Sequence, residues 1–424
     1  MLFRVLLQIA WLPPAIAYIY TTHITSWIAF LAAAPFIQLM VGMLLHCLSP
    51  IRPDLAPHLR DPASQPYYKI EADSEKAHGY SRHYYKTTTT HQHYVVVAPE
   101  QRQKHCVVWV PGFCRYFSHH STVDINFGND VDLCGLDLPC YGRAYMHTGG
   151  HDNLNNLWNA VPPSSCWRSI LRVFGCSKQL RASFYYDVYE ETTIHLKEDL
   201  GYDKIFYMCN STSGLTMQCY IEEAFSHKIR KEEQQADGTD AATISGIIFS
   251  APFWWPTERG KPLLTSPIFE LLNVVALLFP TLMLFDDDVK ETWLSEGLEK
   301  AHASGRTTVS VDPILNPVDK TPYFIEWLAM VSEAQNYLMK KSQKTAIESN
   351  RPRAMLLTND GMDHNVDVNA VHEMFPGLYP KDKGMQFRIL GANHEMMFSE
   401  KEQFEIASKH VRAFLREGIA EKPK

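Results

Sequence analysis

Ser211 lies between an apolar run, Lys204 to Met208, and a segment of helical spacing that begins near Leu215. A serine on a sharp strand-to-helix turn projects its hydroxyl above a sheet, and the N–H of the following residue points into the same space. Such a serine can attack a carbonyl if a histidine takes its proton and a carboxylate orients that histidine. The chain supplies both, in that order. After the run Ala354 to Thr358 comes Asp360-Gly361-Met362-Asp363-His364-Asn365-Val366-Asp367, and after Gln386 to Leu390 comes Gly391-Ala392-Asn393-His394-Glu395. The chemistry to expect is acyl transfer through a covalent acyl-enzyme, carried by Ser211, His394 and an aspartate.

Each role has a rival. A serine between a strand and a helix otherwise serves as an N-cap, and Asp360, Asp363 and Asp367 are all placed to be the acid. His364 and His372 compete with His394, but neither follows the final strand. The usual turn around such a nucleophile is Gly-x-Ser-x-Gly; here the two glycine places hold Cys209 and Ser213, both small, and Gly214 comes one place late. Pro111-Gly112-Phe113, after the run Cys106 to Val110, is a tight turn suited to presenting a second backbone N–H. His119, His120, His147 and His151 match no metal-ligand spacing, and no Gly-rich loop of a nucleotide type is present. No cofactor is implied.

These residues need a scaffold that brings strand ends together. Tyr94 to Val97, Cys106 to Val110, Val131 to Leu136, Lys204 to Met208, Ser245 to Ser250, Ala354 to Thr358 and Gln386 to Leu390 are short apolar runs, mostly rich in β-branched or aromatic residues. Helical patterns sit between the later ones, at Phe184 to Leu200, Gly214 to His227 and Val366 to Met374. A last helix is expected from a capping box at Ser399-Glu400-Lys401-Glu402. Alternation of this kind predicts an α/β fold with a mostly parallel sheet covered on both faces, whose site lies at the carboxyl ends of the strands.

Segments that depart from the alternation divide the chain. Residues 1–49 hold two apolar runs, Val5 to Tyr20 and Ile24 to Leu48, with Arg4 the sole formal charge of the first fifty residues. Each can approach or cross a hydrocarbon core of about 30 Å, which predicts a membrane hairpin. A cleaved signal peptide ending at Ala15-Ile16-Ala17 is the alternative for the first run. Arg4, Arg52 and Arg60 flank the pair and favour both ends, and the catalytic region, in the cytoplasm. The sequon Asn210-Ser211-Thr212 points the same way, because a glycan on the catalytic turn would block it. Residues 50–93 read as a linker with the first strands, 94–251 and 351–424 as the two parts of the α/β core, and 252–350 as a helical cap without sheet strands. Within the cap, Leu271 to Phe285 reads as a buried helix, or as a lipid-facing or acyl-lining surface. Lys228 to Thr243 is polar and reads as a surface insertion.

The 424 residues are 46% hydrophobic and 12% aromatic, enough for a large core without disulfide or metal staples. Lys and Arg number 40 against 47 Asp and Glu, and the net charge of −7 argues against a nucleic-acid partner. Nine cysteines without a CxxC pair suit a reducing compartment.

From about Val95 to Phe414 the chain resembles the α/β-hydrolase superfamily, in its serine-aminopeptidase and monoacylglycerol-lipase-like (lysophospholipase-like) branch. That branch has His-Gly-Phe after the third strand, where this chain has Pro111-Gly112-Phe113. It has Asp-Leu-x-x-Tyr-Gly-Arg-Ser after the fourth, matched by Asp137-Leu138-Pro139-Cys140-Tyr141-Gly142-Arg143-Ala144. The resemblance implies Ser211 as nucleophile, His394 as base and Asp363 as the orienting acid, since Asp363 leads into His364-Asn365-Val366-Asp367 as the acid of that branch does. It implies the N–H groups of Phe113 and Thr212 as the oxyanion hole, with Arg143 holding loops and not catalytic.

The expected function is that of a membrane-anchored serine hydrolase cleaving carboxylic esters, with lipid acyl esters of the monoacylglycerol or lysophospholipid class as substrates. Two alternatives stay open: a peptidase or amidase of the same fold, and an inactive hydrolase-fold binding module. An aminopeptidase needs a carboxylate for the substrate's amino group, with Glu258, Glu270 and Glu326 as candidates.

Overall fold

The computed structural model describes residues 70–125, 127–150, 153, 157, 158, 180–232, 244–257, 273, 275, 276, 283–287, 290–312, 314–316, 321–343, 351–360, 363 and 365–421. In chain order the strands are β1 (Tyr80–Lys86), β2 (His93–Pro99), β3 (His105–Val110), β4 (Val131–Asp137), β5 (Lys204–Asn210), β6 (Gly246–Ser250), β7 (Met283–Asp287), β8 (Thr321–Phe324), β9 (Arg353–Asp360) and β10 (Gly384–Leu390). The longer helices are α1 (Glu71–Ala77), α2 (Gly142–His147), α3 (Tyr186–Ile194), α4 (Thr212–Glu232), α5 (Lys290–Ala303), α6 (Ile325–Ser342), α7 (Val368–Leu378) and α8 (Lys401–Ala420).

Eight strands form one sheet in the order β1-β2-β4-β3-β5-β6-β9-β10. β1 and β2, and β2 and β4, pair antiparallel, and every pair from β4 to β10 is parallel. Strands in the middle of such a sheet are buried on both faces, which is why β3 and β5 read as continuous apolar runs. Their side chains divide by parity. Cys106, Val108 and Val110 of β3 join a core with Tyr189 of α3, Leu215 of α4, Leu328 of α6 and Val371 of α7. Val107 and Trp109 join the opposite core, with Ala144 of α2 and Phe404, Val411 and Phe414 of α8.

The region expected to be a strand-free helical cap contains α5 and α6 but also β7 and β8, which pair antiparallel apart from the main sheet. Residues 283–285 of the apolar run Leu271 to Phe285 thus lie in a strand. Pro280 disfavours a helix that continues through it from the preceding residues, and Met283 to Asp287 finds its backbone partners on Thr321–Phe324. Asn273, Val275 and Ala276 are helical; the rest of the run to Leu282 lies outside the described residues. The polar stretch from Lys228 begins as the last turn of α4, to Glu232, and 233–243 lie outside the described residues. No helix among the described residues is long and apolar enough to cross a membrane. The two runs expected as a membrane hairpin, in 1–49, lie outside them.

Candidate active site

β5 ends at Asn210, and α4 begins at Thr212, so Ser211 alone makes the turn, with φ +52°. The left-handed region costs a non-glycine residue about 1 kcal/mol, and neighbouring hydrogen bonds hold Ser211 there. Its N–H donates to Ser250 O at 3.0 Å, while its carbonyl accepts from Phe253 N at 2.9 Å and Leu215 N at 3.3 Å.

The two departures from the glycine pattern have local explanations. Cys209 is fully buried in the core behind the turn. Ser213 is also buried, and its hydroxyl donates to Val110 O at 2.7 Å and Asn210 O at 2.8 Å, tying the turn to the end of β3. The close approach falls at Gly214, where a Cβ would come within 2.8 Å of Pro252 Cβ. Glycine is thus needed one place later than the usual pattern has it.

The turn after β3 presses on Ser211. A Cβ on Gly112 would meet Ser211 Cβ at 2.8 Å and Asn210 O at 3.1 Å, so Pro111-Gly112-Phe113 runs beside Ser211. The Phe113 ring packs on Trp327 of α6 and Tyr323 of β8, with centroids 4.1 and 5.1 Å away. The cap therefore lays an aromatic wall on this turn. Behind the turn, Asp137 accepts from Phe117 N at 2.6 Å and from Arg143 N at 2.9 Å, and Arg143 Nη1 donates to Phe117 O and Asp137 Oδ2. Arg143 also pairs with Glu75 of α1. The Asp137 to Arg143 segment thus clamps both polar groups of the Phe117 backbone.

His394 Nδ1 lies 2.7 Å from Asp363 Oδ2. Asp363 Oδ1 accepts from Asn365 N at 2.8 Å and Val366 N at 3.1 Å. The Asp363 side chain is fully buried, and that of His394 keeps 17% exposure, so the imidazole remains open on its outer side. Burial alone would raise the Asp363 carboxyl, but the adjacent imidazole, its hydrogen bond and the two backbone N–H groups bring it below the ordinary value. Burial would lower the His394 pKa, yet the Asp363 charge and hydrogen bond, helped by the charge of Glu395, raise it above 6.5 against the opposing Arg115.

The rival residues are engaged elsewhere. Asp367 caps α7, accepting from Ala370 N at 3.1 Å, and Asp360 is half exposed beside Arg388. His372 bonds Thr358 Oγ1 and Gln386 Oε1, each at 2.8 Å. His364 lies outside the described residues. Glu326, a candidate for binding an amino group, is buried against Arg181 Nε at 3.3 Å; Glu258 and Glu270 lie outside the described residues. Among the described residues no group of three His, Cys, Asp or Glu side chains is arranged to hold a metal ion. His119 instead shares a hydrogen bond with Ser74 Oγ at 3.0 Å.

The expected capping box at Ser399 is not formed. α8 starts at Lys401 with Glu400 as an N-cap that makes no side-chain bond. The Ser399 hydroxyl instead accepts from Asn393 N at 2.9 Å, and Arg306 Nη1 donates to Ser399 O at 2.9 Å. Ser399 therefore closes the His394 loop and leaves the helix end uncapped. Asn210, Arg115 and Glu395, which surround the site, carry no signal in spacing, because their contacts join segments far apart in the chain.

No family model matches the chain, and no curated protein matches it. Solved structures do. A highly thermostable carboxyl esterase from Bacillus coagulans, in complex with glycerol, aligns over 81% of this chain and 99% of its own with TM-score 0.52 and 12% identity. A soluble variant of the monoglyceride lipase from Saccharomyces cerevisiae, in complex with a substrate analogue, aligns over 80% of this chain and 94% of its own with TM-score 0.50 and 14% identity. With these likenesses, a mostly parallel sheet and a strand-turn-helix at Ser211, the chain has the α/β-hydrolase fold.

Proposed function

We propose that the protein is a serine hydrolase that cleaves carboxylic esters, with lipid acyl esters of the monoacylglycerol or lysophospholipid class as substrates, and that residues 1–49 anchor it to a membrane. The observation that carries the reading is the strained Ser211 turn after β5, together with the hydrogen-bonded His394–Asp363 pair in the segments that follow β10 and β9. In this mechanism the Ser211 hydroxyl attacks the ester carbonyl as His394 Nε2 takes its proton, while Asp363 holds Nδ1–H and stabilises the imidazolium. The N–H groups of Phe113 and Thr212 receive the oxyanion, each contributing about 3–4 kcal/mol in the transition state. The protonated imidazole then passes its proton to the leaving alcohol, and water, deprotonated by the same imidazole, releases the acid.

The aromatic wall of Phe113, Tyr323 and Trp327 beside the oxyanion turn supports an apolar acyl group. The neighbouring structures named for monoglyceride lipase and carboxyl esterase supply the same direction for the ester. Burial of Asn210 favours a cytoplasmic catalytic region, where its sequon meets no glycosylation. The pairing of Glu326 with Arg181 removes one carboxylate that a peptidase reading would use. The test is hydrolysis of acyl esters of graded chain length, soluble and in mixed micelles. Preference for long chains at an interface is expected; equal turnover of short soluble esters with no gain from either would overturn the lipid assignment.

A further inference from the structure

The nucleophile turn, the histidine loop and the oxyanion turn meet in one buried polar contact. Glu395 follows His394, and its Oε1 accepts from Asn210 Nδ2 at 3.3 Å. Its Oε2 lies 3.1 Å from Arg115 Nε, and the side chains of Arg115 and Glu395 are only 6% and 9% exposed. Asn210 is the residue before Ser211, and Arg115 stands two places after Phe113. One carboxylate on the histidine loop therefore touches residues beside the other two segments, Asn210 of the nucleophile turn and Arg115 after the oxyanion turn. A buried ion pair is seldom more stabilising than an apolar pair of the same size, so packing alone gives little reason for a charge here.

We propose that Glu395, held by Asn210 and Arg115, is a positioning residue for the His394 imidazole: it fixes the histidine loop against the nucleophile turn and the oxyanion turn. For its catalytic consequence the inference rests on the serine-hydrolase reading. The charged groups acting on the His394 ring are Asp363, Glu395 and Arg115. Asp363 sets the tautomer from the Nδ1 side. Glu395 and Arg115 act with opposite signs, the carboxylate raising the His394 pKa and the guanidinium lowering it. Arg115 is itself braced by the Phe398 ring, 5.4 Å below its guanidinium, so the pair is fixed from the far end of the same loop.

The opposed signs give a test that a purely structural role does not pass. His394 is titrated in the full chain by NMR of labelled histidine rings, assigned with His394→Gln, for wild type, Glu395→Gln and Arg115→Gln. The His394 midpoint is expected to fall in Glu395→Gln and to rise in Arg115→Gln, each by about half a pH unit or more. Fluorophosphonate inactivation of Glu395→Gln, per folded molecule, should slow by about tenfold. Unmoved midpoints in both variants, or midpoints that move the same way, would overturn the proposal. If the Gln variants do not fold, Glu395→Asp, which keeps the charge but shortens its reach, carries the test. Its inactivation is expected to be slower than wild type with a midpoint held near the wild-type value, and a wild-type rate would overturn the proposal. The midpoint does not depend on turnover, so opposite shifts in a protein that fails to label would leave the positioning pair standing and remove the hydrolase reading alone.

Discussion

At Ser211 the backbone is held at φ +52° by three hydrogen bonds, and Gly112 lies against its Cβ. The contact leaves no room for a methyl group on Gly112. Gly112→Ala is expected to push the oxyanion turn off the nucleophile and slow fluorophosphonate labelling by about a hundredfold, with a melting temperature within a few degrees of wild type. A wild-type labelling rate would show that the turn does not serve as the oxyanion hole. The raised His394 pKa makes a second prediction. In the proposed mechanism His394 must be neutral to accept the Ser211 proton, so the acid limb of the rate profile should lie above the ordinary histidine value of 6.5. A limb at or below 6.5 would mean that Asp363 and Glu395 do not govern the ring. The Ser211 turn and the His394 loop were legible in the sequence because each follows a strand end and so has a fixed place in the chain pattern. Arg115, Asn210 and Glu395 were not, since a contact such as Asn210 with Glu395 spans 185 residues and leaves no local spacing to read.

Among the elements, the central strands were legible from their β-branched and apolar runs, since burial on both faces demands such residues. β1 and α1 were not. β1 reads Tyr-Ser-Arg-His-Tyr-Tyr-Lys and is only partly buried along its length, so it shows no alternation. α1 buries Glu71, Ser74 and Glu75, polar residues that sequence patterning assigns to solvent, because it packs against the Arg143 guanidinium and not an apolar face. That packing has a pH signature. Burial, partly opposed by Arg143 and hydrogen bonds from Ser118 and the His120 backbone, raises the Glu71 pKa from 4.5 to about 7. Between those values the folded state binds the proton more tightly than the unfolded chain, so stability falls as pH rises through this window. Glu71→Gln, neutral throughout, should remove that slope: its melting temperature relative to wild type is expected to be higher at about pH 8 than at about pH 5. A difference that does not change with pH would contradict the assignment of the proton to Glu71. The paired strands β7 and β8 were hidden for another reason. Four or five residues each, they are too short for a period, and an uninterrupted apolar run looks the same as strand or buried helix.

Across the whole molecule, the order of strands and helices fixes where chemistry can occur. Parallel strands β3, β5, β9 and β10 all end on one edge, and Phe113, Ser211, Asp363 and His394 each follow one of those ends. Residues as distant in the chain as Arg115 and Glu395 thereby meet without any local motif joining them. Fold class was legible because it depends on alternation alone, whereas the cap was only partly so, because its packing depends on the core beneath it. If residues 1–49 anchor the chain, the full-length protein should stay in the membrane pellet after alkaline carbonate extraction. Release into the supernatant would contradict integral anchoring while leaving the ester chemistry untouched. The central claim is that Ser211 is an activated nucleophile. Its most direct test is fluorophosphonate labelling of the detergent-solubilised protein with the adduct located by mass spectrometry, in wild type beside Ser211→Ala, His394→Ala and Asp363→Asn. The expected result is an adduct on Ser211 that vanishes with Ser211→Ala and drops sharply in the other two. A folded wild type that takes no label, or a label that survives Ser211→Ala, would contradict it.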